Sequence, residues 1–342
     1  MNIHNGGGAT LLGHLLTSLD TSDLNIVLLD NRFNIPIKQY SHVKIYRVFP
    51  TIFRRFLSEL WLFRNVRRED CILCFGNLPP LFPLAGFTTV FVQNRYLLDR
   101  VNLINLPLRL RLRLFIERFW LLYRGSSVDQ FIVQTPTMFN LMKERAKNWK
   151  GLVKMLPLSN QFEDSLLVQN ISEEKLHHEV DFIYVASGEP HKNHSKLMEA
   201  WCLLADEGFF PSLWLTVSEE NEPHLCTFIF EKIKAKQLHV KNLGMQAPSE
   251  IFPLYKKASA LIYPSTFESF GLPLIEAKQA GIPIIASELD YVRDIVVPNQ
   301  TFDPQSPVSI ARAVKRFLGF KDNPLPLVDA KEFLCSVMQK SK

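Results

Sequence analysis

The stretch YPSTFESFGLPLIEAKQAGIPIIAS, residues 263–287, decides how the chain is read. An apolar run, ALIYPS (260–265), enters a polar loop holding Glu268, and Phe270-Gly271 then turn the chain into a helix over 272–280. Pro273 in the first turn and Gly281 just past the end are the expected punctuation of a helix. IPIIAS (282–287) follows as a second apolar run, so the order is strand, loop, helix, strand. That order belongs to parallel sheets built from βαβ units. The amides at the start of the helix are unpaired and carry the positive end of its dipole, which suits a bound diphosphate. Gly271 lets backbone approach a ligand closely, and the Glu268 and Glu276 carboxylates can accept hydroxyls.

The same alternation extends outward. DFIYVAS (181–187), LWLTVS (213–218) and LHVKNLG (238–244) read as further strands, with helices at about 195–207, 222–236 and 249–258. In the first half, NIVLLD (25–30), CILCFG (71–76), TTVFVQN (88–94) and QFIVQT (130–135) read as buried strands of a second α/β domain. A length of 342 residues suits two domains. The expected boundaries are 1–158, 159–325, and a C-terminal helix over 326–342 packing back on the first domain. Two doubly wound domains facing each other leave a cleft at the carboxyl ends of their strands, where such sheets bind ligands. His4-Asn5-Gly6-Gly7-Gly8-Ala9 offers a glycine-rich loop on that cleft, although only Met1 to His4 precede its Asn5-Gly6-Gly7-Gly8 turn. The first strand is then very short, or the chain starts upstream.

Composition excludes several classes. Hydrophobic residues at 47% and charged residues at 21% describe a globular protein and not a disordered or fibrous one. No apolar run reaches the roughly 18 residues of a membrane span, and the N-terminus does not resemble a signal peptide, so the expected compartment is the cytoplasm. The five cysteines are odd in number and scattered, and Cys71 and Cys74 lack a second pair at metal spacing. Residues 1–160 hold 21 Lys and Arg against 10 Asp and Glu, or +11, whereas the remainder holds 18 against 24, or −6. A basic first half can attract an anionic membrane, an acidic substrate or nucleic acid. No nucleic-acid-binding motif accompanies the charge.

Glu268 and Glu276 with seven residues between, Phe-Gly-Leu-Pro inside and Ala-x-x-x-Gly-x-Pro-Ile-Ile-Ala-Ser after, resemble the donor site of glycosyltransferase family 4. The resemblance implies the GT-B fold, two Rossmann-like domains, and retaining transfer from a nucleoside-diphosphate sugar as co-substrate, with no metal and no other cofactor. It implies that Glu276 accepts from the ribose, that Glu268 faces donor-sugar hydroxyls, and that the amides of Phe270, Gly271 and Leu272 meet sugar and phosphate. Lys192, in ASGEPHKNHSKL (186–197), resembles the family lysine that neutralises the diphosphate. With Glu268 it is the candidate catalytic pair. Ser187 stands where the family has an arginine, and His191 or His194 could supply part of the missing charge. Gln93-Asn94 stand where many members have a functional histidine. Gly7, Gly8, Asn77, Gln93 and Asn94 are the acceptor-side candidates.

Seven arginines fall within residues 95–124, and Pro107 to Arg124 has no breaker, so the run reads as a helix capped by Asn105. Leu, Phe and Trp120 between the arginines suit a membrane interface, with Arg109, Arg111, Arg113 and Arg118 as docking candidates. Alternatively, those arginines reach to water from a core helix. The expected function is transfer of a sugar to a lipid-linked or polysaccharide acceptor in bacterial surface-glycan assembly, by an enzyme peripheral to the inner face of the cell membrane. A non-catalytic nucleotide- or glycan-binding scaffold, or a soluble sugar-nucleotide epimerase of the same fold, remains open at this level.

Overall fold

A computed structural model describes residues 6–19, 25–33, 43–99, 101, 103, 107–158 and 178–320. The expected C-terminal helix over 326–342 and the cap residue Asn105 lie outside them. The first half runs α1 (Gly6–Thr17), β1 (Asn25–Asp30), β2 (Val43–Val48), α2 (Ile52–Asn65), β3 (Cys71–Cys74), β4 (Phe87–Phe91), α3 (Leu108–Arg124), β5 (Gln130–Val133), α4 (Pro136–Arg145) and β6 (Leu152–Met155). The second half runs β7 (Val180–Tyr184), α5 (His194–Asp206), β8 (Leu213–Leu215), α6 (Pro223–Lys236), β9 (Val240–Asn242), α7 (Pro248–Lys256), β10 (Ala258–Tyr263), α8 (Leu272–Gln279), β11 (Ile284–Ser287), α9 (Asp290–Arg293), β12 (Gln300–Phe302) and α10 (Pro307–Phe317).

The second half forms one parallel sheet, ordered β12-β11-β10-β7-β8-β9. The chain starts in the middle of this sheet and winds out in both directions, which places a crevice at the carboxyl ends of β7 and β10. Strands of an all-parallel sheet are covered on both faces, and β10 and β11 are accordingly buried almost throughout. Trp201 of α5 anchors this core: its ring is buried, meets Phe182 edge-on at 5.7 Å, and donates from Nε1 to the Pro211 carbonyl at 2.9 Å.

The first half carries a parallel pair, β1-β2, and a parallel four-stranded sheet, β3-β4-β5-β6. Leu11, Leu12 and Leu16 of α1, Leu29, Val43, Phe75 and Phe91 make one apolar cluster that joins the two sheets. Leu272, at the start of α8, packs against it from the second half. A separate core forms where α3 and α4 cover the four-stranded sheet.

Three expectations change. CILCFG is not a buried strand: among the described strands β3 lies at a sheet edge, and Cys71 is exposed. Gly7 and Gly8 do not form a loop, because α1 starts at Gly6 and takes both into its first turn. The arginine-rich run is helical as read, but Pro107 occupies the cap position, with no side-chain cap bond. Strands β2, β6 and β12 and helix α2 escape a reading by pattern. Strands β6 and β12 are only four and three residues long, Lys44 and Arg47 interrupt the apolar run of β2, and α2 exposes Ile52, Phe53 and Phe56, which blurs its amphipathic period.

Candidate active site

The loop from Pro264 to Gly271 joins β10 to α8 at the carboxyl edge of the second-half sheet. Beside it runs the 3-10 turn Pro190–Lys192, which leads into α5. The two segments are stitched together through one carbonyl. His191 O accepts from Thr266 N at 2.8 Å and from Thr266 Oγ1 at 3.1 Å, and the Ser265 hydroxyl lies 3.1 Å from it. Asn193 completes the join in a left-handed conformation (φ 62°), its amide donating to Pro264 O at 3.1 Å and Pro304 O at 2.7 Å. Asn tolerates that conformation better than most residues, and its amide bonds hold it there.

This framework delivers Lys192 onto Glu268. Nζ lies 2.6 Å from Oε1, and both side chains are largely buried. The same oxygen also accepts from the Tyr263 hydroxyl at 2.9 Å and the Ser265 hydroxyl at 2.8 Å. Burial alone would raise the Glu268 carboxyl, but Lys192, His191 and the bonds from Lys192 and Ser265 outweigh it and hold the carboxyl below its ordinary value. Beneath lie three buried tyrosines, Tyr184, Tyr263 and Tyr291, with Tyr184 donating to Lys192 O at 2.7 Å and Tyr291 to Ser265 O at 2.8 Å. Burial, together with the Glu268 charge, keeps all three phenols protonated, so they serve as donors.

Glu276 sits on the second turn of α8, and Oε2 accepts from the Tyr255 hydroxyl at 3.0 Å. Burial raises its carboxyl, and the Tyr255 bond offsets part of that rise. Gly271 caps α8 with φ 70°. In the first turn Pro273 has no N–H and Leu274 N donates to Gly271 O at 3.0 Å, which leaves the Gly271 and Leu272 amides as the donors at this helix start. Phe270 instead turns its ring into the interior.

Ser187 is exposed, and its hydroxyl is bonded to the Glu189 carboxylate. The two histidines do not replace the missing cation. Burial and the Lys192 charge push His194 down to about 3 and lower His191 as well, so both are neutral at pH 7. Neither ring nitrogen of His194 has a partner among the described residues.

Asn77, Gln93 and Asn94 do come together, at the carboxyl ends of β3 and β4, but their polar groups are largely committed to backbone. Asn77 Oδ1 accepts from Gln93 N at 2.5 Å and Asn94 N at 2.9 Å, Gln93 Nε2 donates to Phe75 O at 3.1 Å, and Asn94 Oδ1 accepts from Tyr96 N at 3.0 Å. They form the base of a 3-10 turn, Arg95–Leu97. That turn reaches the second half: the Tyr96 ring lies 4.4 Å from Phe267, and the Arg95 guanidinium stacks 4.6 Å over it. Arg95, Tyr96 and Phe267 were not singled out in the sequence as a site. The available signal was an Arg-Tyr pair directly after a strand, and the basic run that follows hid it. Further along, Thr135 Oγ1 lies 3.4 Å from Ser269 O, and Thr137 N donates to Asp294 Oδ2 at 3.0 Å.

Residues 169–325 match the family described as Glycosyl transferases group 1. The second half of the chain is a group 1 glycosyl transferase domain. This domain aligns with the serotype-specific mannosyltransferase WbdA of Escherichia coli, 34% identical over 151 residues, which is 42% of this chain and 18% of that protein. It also aligns with O-antigen chain mannosyltransferase B of Escherichia coli, 29% identical over 116 residues, 33% of this chain and 30% of the relative. The chain therefore matches less than a third of the length of either relative. Across almost the whole chain the backbone resembles Anabaena HepE, solved with UDP and glucose, at a TM-score of 0.63 and 15% identity, covering 92% of this chain and 86% of that one. The lipopolysaccharide outer core galactosyltransferase WaaB gives 0.57 at 16% identity, covering 92% and 87%. These likenesses show the GT-B fold across the chain.

The group 1 domain's buried ion pair yields a sign test. In the wild type, the depressed Glu268 carboxyl contributes stability above the unfolded carboxylate value of about 4.5, and this is lost as pH falls through the folded value. Lys192→Met removes the largest opposition to burial, raises the carboxyl, and makes the variant lose stability as pH rises. Urea unfolding should find the variant weaker than wild type by a gap that widens between about pH 5 and about pH 7.5, reaching about 3 kcal/mol or more. An equal gap at both pH values would contradict the charge assignment.

Proposed function

We propose that the protein transfers a sugar, with retention, from a nucleoside-diphosphate sugar to a hydroxyl of a lipid-linked or polysaccharide acceptor in surface-glycan assembly. The observation that carries this reading is the Lys192–Glu268 pair set beside the α8 amides in a group 1 domain. In the reaction the anomeric carbon develops oxocarbenium character while negative charge grows on the departing diphosphate. Lys192 and the Gly271 and Leu272 amides meet that charge, Glu268 orients sugar hydroxyls, and Glu276 holds the ribose. The leaving phosphate takes the acceptor proton. A mannosyl donor is favoured by the names of the two Escherichia coli relatives, and a nucleotide donor by the UDP bound in HepE.

The reading includes docking on an anionic membrane from the cytoplasmic side, and here the first-half helices refine what the arginines suggested. Helix α3 buries Leu114 and Leu121 and turns Leu108, Leu112, Phe115, Ile116, Phe119 and Tyr123 outward on its opposite face. At 100° per residue, Arg109 and Arg113 flank that apolar stripe on one side and Arg111 on the other. Arg118 does not belong to the docking set: its Nε donates to Tyr96 O and its Nη2 to Asp99 O, both at 2.8 Å. Arg113 is shared with Glu117 at 2.8 Å. Helix α2 adds exposed Phe53, Phe56 and Leu57, and its Arg55 lies 4.7 Å over the α3 Trp120 ring, so the two helices are neighbours. Exposed apolar residues grouped this densely and rimmed by arginine are the composition of an interfacial surface. Among the described residues, no helix is long and apolar enough to cross a membrane.

Two measurements test this reading. Nucleotide release from GDP-mannose and UDP-glucose, with membrane lipid extract as acceptor source, should be detectable, and Lys192→Ala should lower it by about a hundredfold. Release equal in wild type and variant would contradict the role of Lys192. For docking, wild type should sediment with phosphatidylglycerol vesicles and stay partly bound at 1 M salt, since apolar insertion is not screened as charge is. Phe115→Ser with Phe119→Ser should weaken binding by at least about a hundredfold, at roughly 1.5 kcal/mol or more per inserted ring. Equal binding by both proteins would place those rings elsewhere.

A further inference from the structure

Phe267, the residue before Glu268, is held by the other half of the molecule. It belongs to none of the three apolar cores, and its ring contacts are the Tyr96 ring at 4.4 Å, tilted by 37°, and the Arg95 guanidinium at 4.6 Å. Both partners come from the single turn Arg95–Leu97.

That turn is itself fastened from several sides. Asn94 caps it through Tyr96 N, Arg118 bonds Tyr96 O and Asp99 O, and Arg145 Nη2 donates to Leu97 O at 3.0 Å. Arg95 pairs with Asp99 through Nε at 3.0 Å and Nη2 at 2.9 Å, which fixes one edge of the guanidinium and leaves its flat face for Phe267. Flat guanidinium and aromatic faces attract through the ring quadrupole, and the tilted Tyr96–Phe267 pair has favourable ring geometry as well. Helix α3, through Arg118, thereby supports the turn that grips the donor-side loop.

We propose that Arg95 and Tyr96 are positioning residues: by clasping Phe267 they set the orientation of Glu268, so that the donor-side carboxylate is in register only while the two halves are in contact. The role rests on the reading of Glu268 as the residue facing donor-sugar hydroxyls. All three hydrogen bonds to Glu268 fall on Oε1, and Oε2 receives none from the described residues. One carboxylate oxygen is thus anchored from below by the second half, while the backbone one residue earlier is anchored from the side by the first. Releasing Phe267 lets the loop turn about the Ser265–Thr266 stitching and swings the unanchored oxygen. Acceptor-side and donor-side halves would then be coupled through a ring contact, without either Arg95 or Tyr96 having to touch the transferred sugar.

The test combines hydrogen exchange with kinetics on the whole chain. In Tyr96→Ala and in Phe267→Leu, which keeps an apolar side chain but loses the flat face, the amides of 266–270 should exchange about tenfold faster than in wild type. Tyr96→Phe keeps the ring and should restore wild-type exchange. With GDP-mannose or UDP-glucose as donor, the same two variants should lose about 10- to 100-fold in kcat with KM for the donor within about threefold, because nucleotide affinity resides in the second half. Unchanged exchange over 266–270 in both variants would overturn the proposal whatever the activity. Exchange that responds in a protein that turns over neither donor would uphold the clasp and count instead against the proposed function.

Discussion

A lysine and a glutamate buried side by side, 2.6 Å apart, organise the second half of the molecule. Taking two charges out of water costs several kcal/mol per ion unless each is met closely, and here the compensation comes from the whole neighbourhood. Tyr263 and Ser265 donate to the same carboxylate oxygen, Tyr184 holds the lysine's own carbonyl, and His191 O locks the two loops in register. The tyrosines are buried under the loop, the histidines beside it are kept neutral, and Asn193 accepts a left-handed backbone to make the turn. Each of these features is costly alone and reasonable once the ion pair is taken as the constraint.

The pair also sets how charge is distributed around the Pro190–Lys192 turn. Ser187 is engaged with Glu189, so no second cation stands at that position, and Lys192 is shared with Glu268. In the proposed reading, an incoming diphosphate competes with Glu268 for Lys192 and draws on the amides of α8. Charge on the donor is then felt directly by the carboxylate that faces the sugar. The first half meets this loop repeatedly, at Phe267, at Ser269 and at Leu272. Its own outer face, formed by α2 and α3, points its apolar residues away from the body. A membrane on that face would bear on the same α3 helix that, through Arg118, holds the Arg95–Leu97 turn.

The second half was largely legible in the sequence because parallel strands buried on both faces give unbroken apolar runs, and α8 is marked by Pro273 and Gly281. The Glu268 and Glu276 positions followed from the same stretch. The first half was harder to read. Its strand β3 is half exposed, so CILCFG carries the apolar signal of a core strand without the burial. The glycine run looked like a loop yet is taken up as the first turn of α1, because glycine, costly in a helix interior, is tolerated at a helix start. Arg118 could not be told from its neighbours by charge, since what separates it is the pair of carbonyls it reaches, 19 and 22 residues away. The Arg95–Tyr96 contact with Phe267 joins residues more than 170 positions apart, and no local pattern records a contact of that kind.

The account depends most directly on whether the group 1 domain holds a nucleoside diphosphate through Glu276. Calorimetric titration of UDP and GDP into wild type and Glu276→Ala, with thermal unfolding of both as a control for folding, addresses this. One nucleotide should bind the wild type, and the variant should lose about 10- to 100-fold in affinity, the worth of a charged hydrogen bond of about 1.5 to 3 kcal/mol, while unfolding cooperatively. Equal affinity in a folded variant, or no binding of either nucleotide to the wild type, would contradict the account.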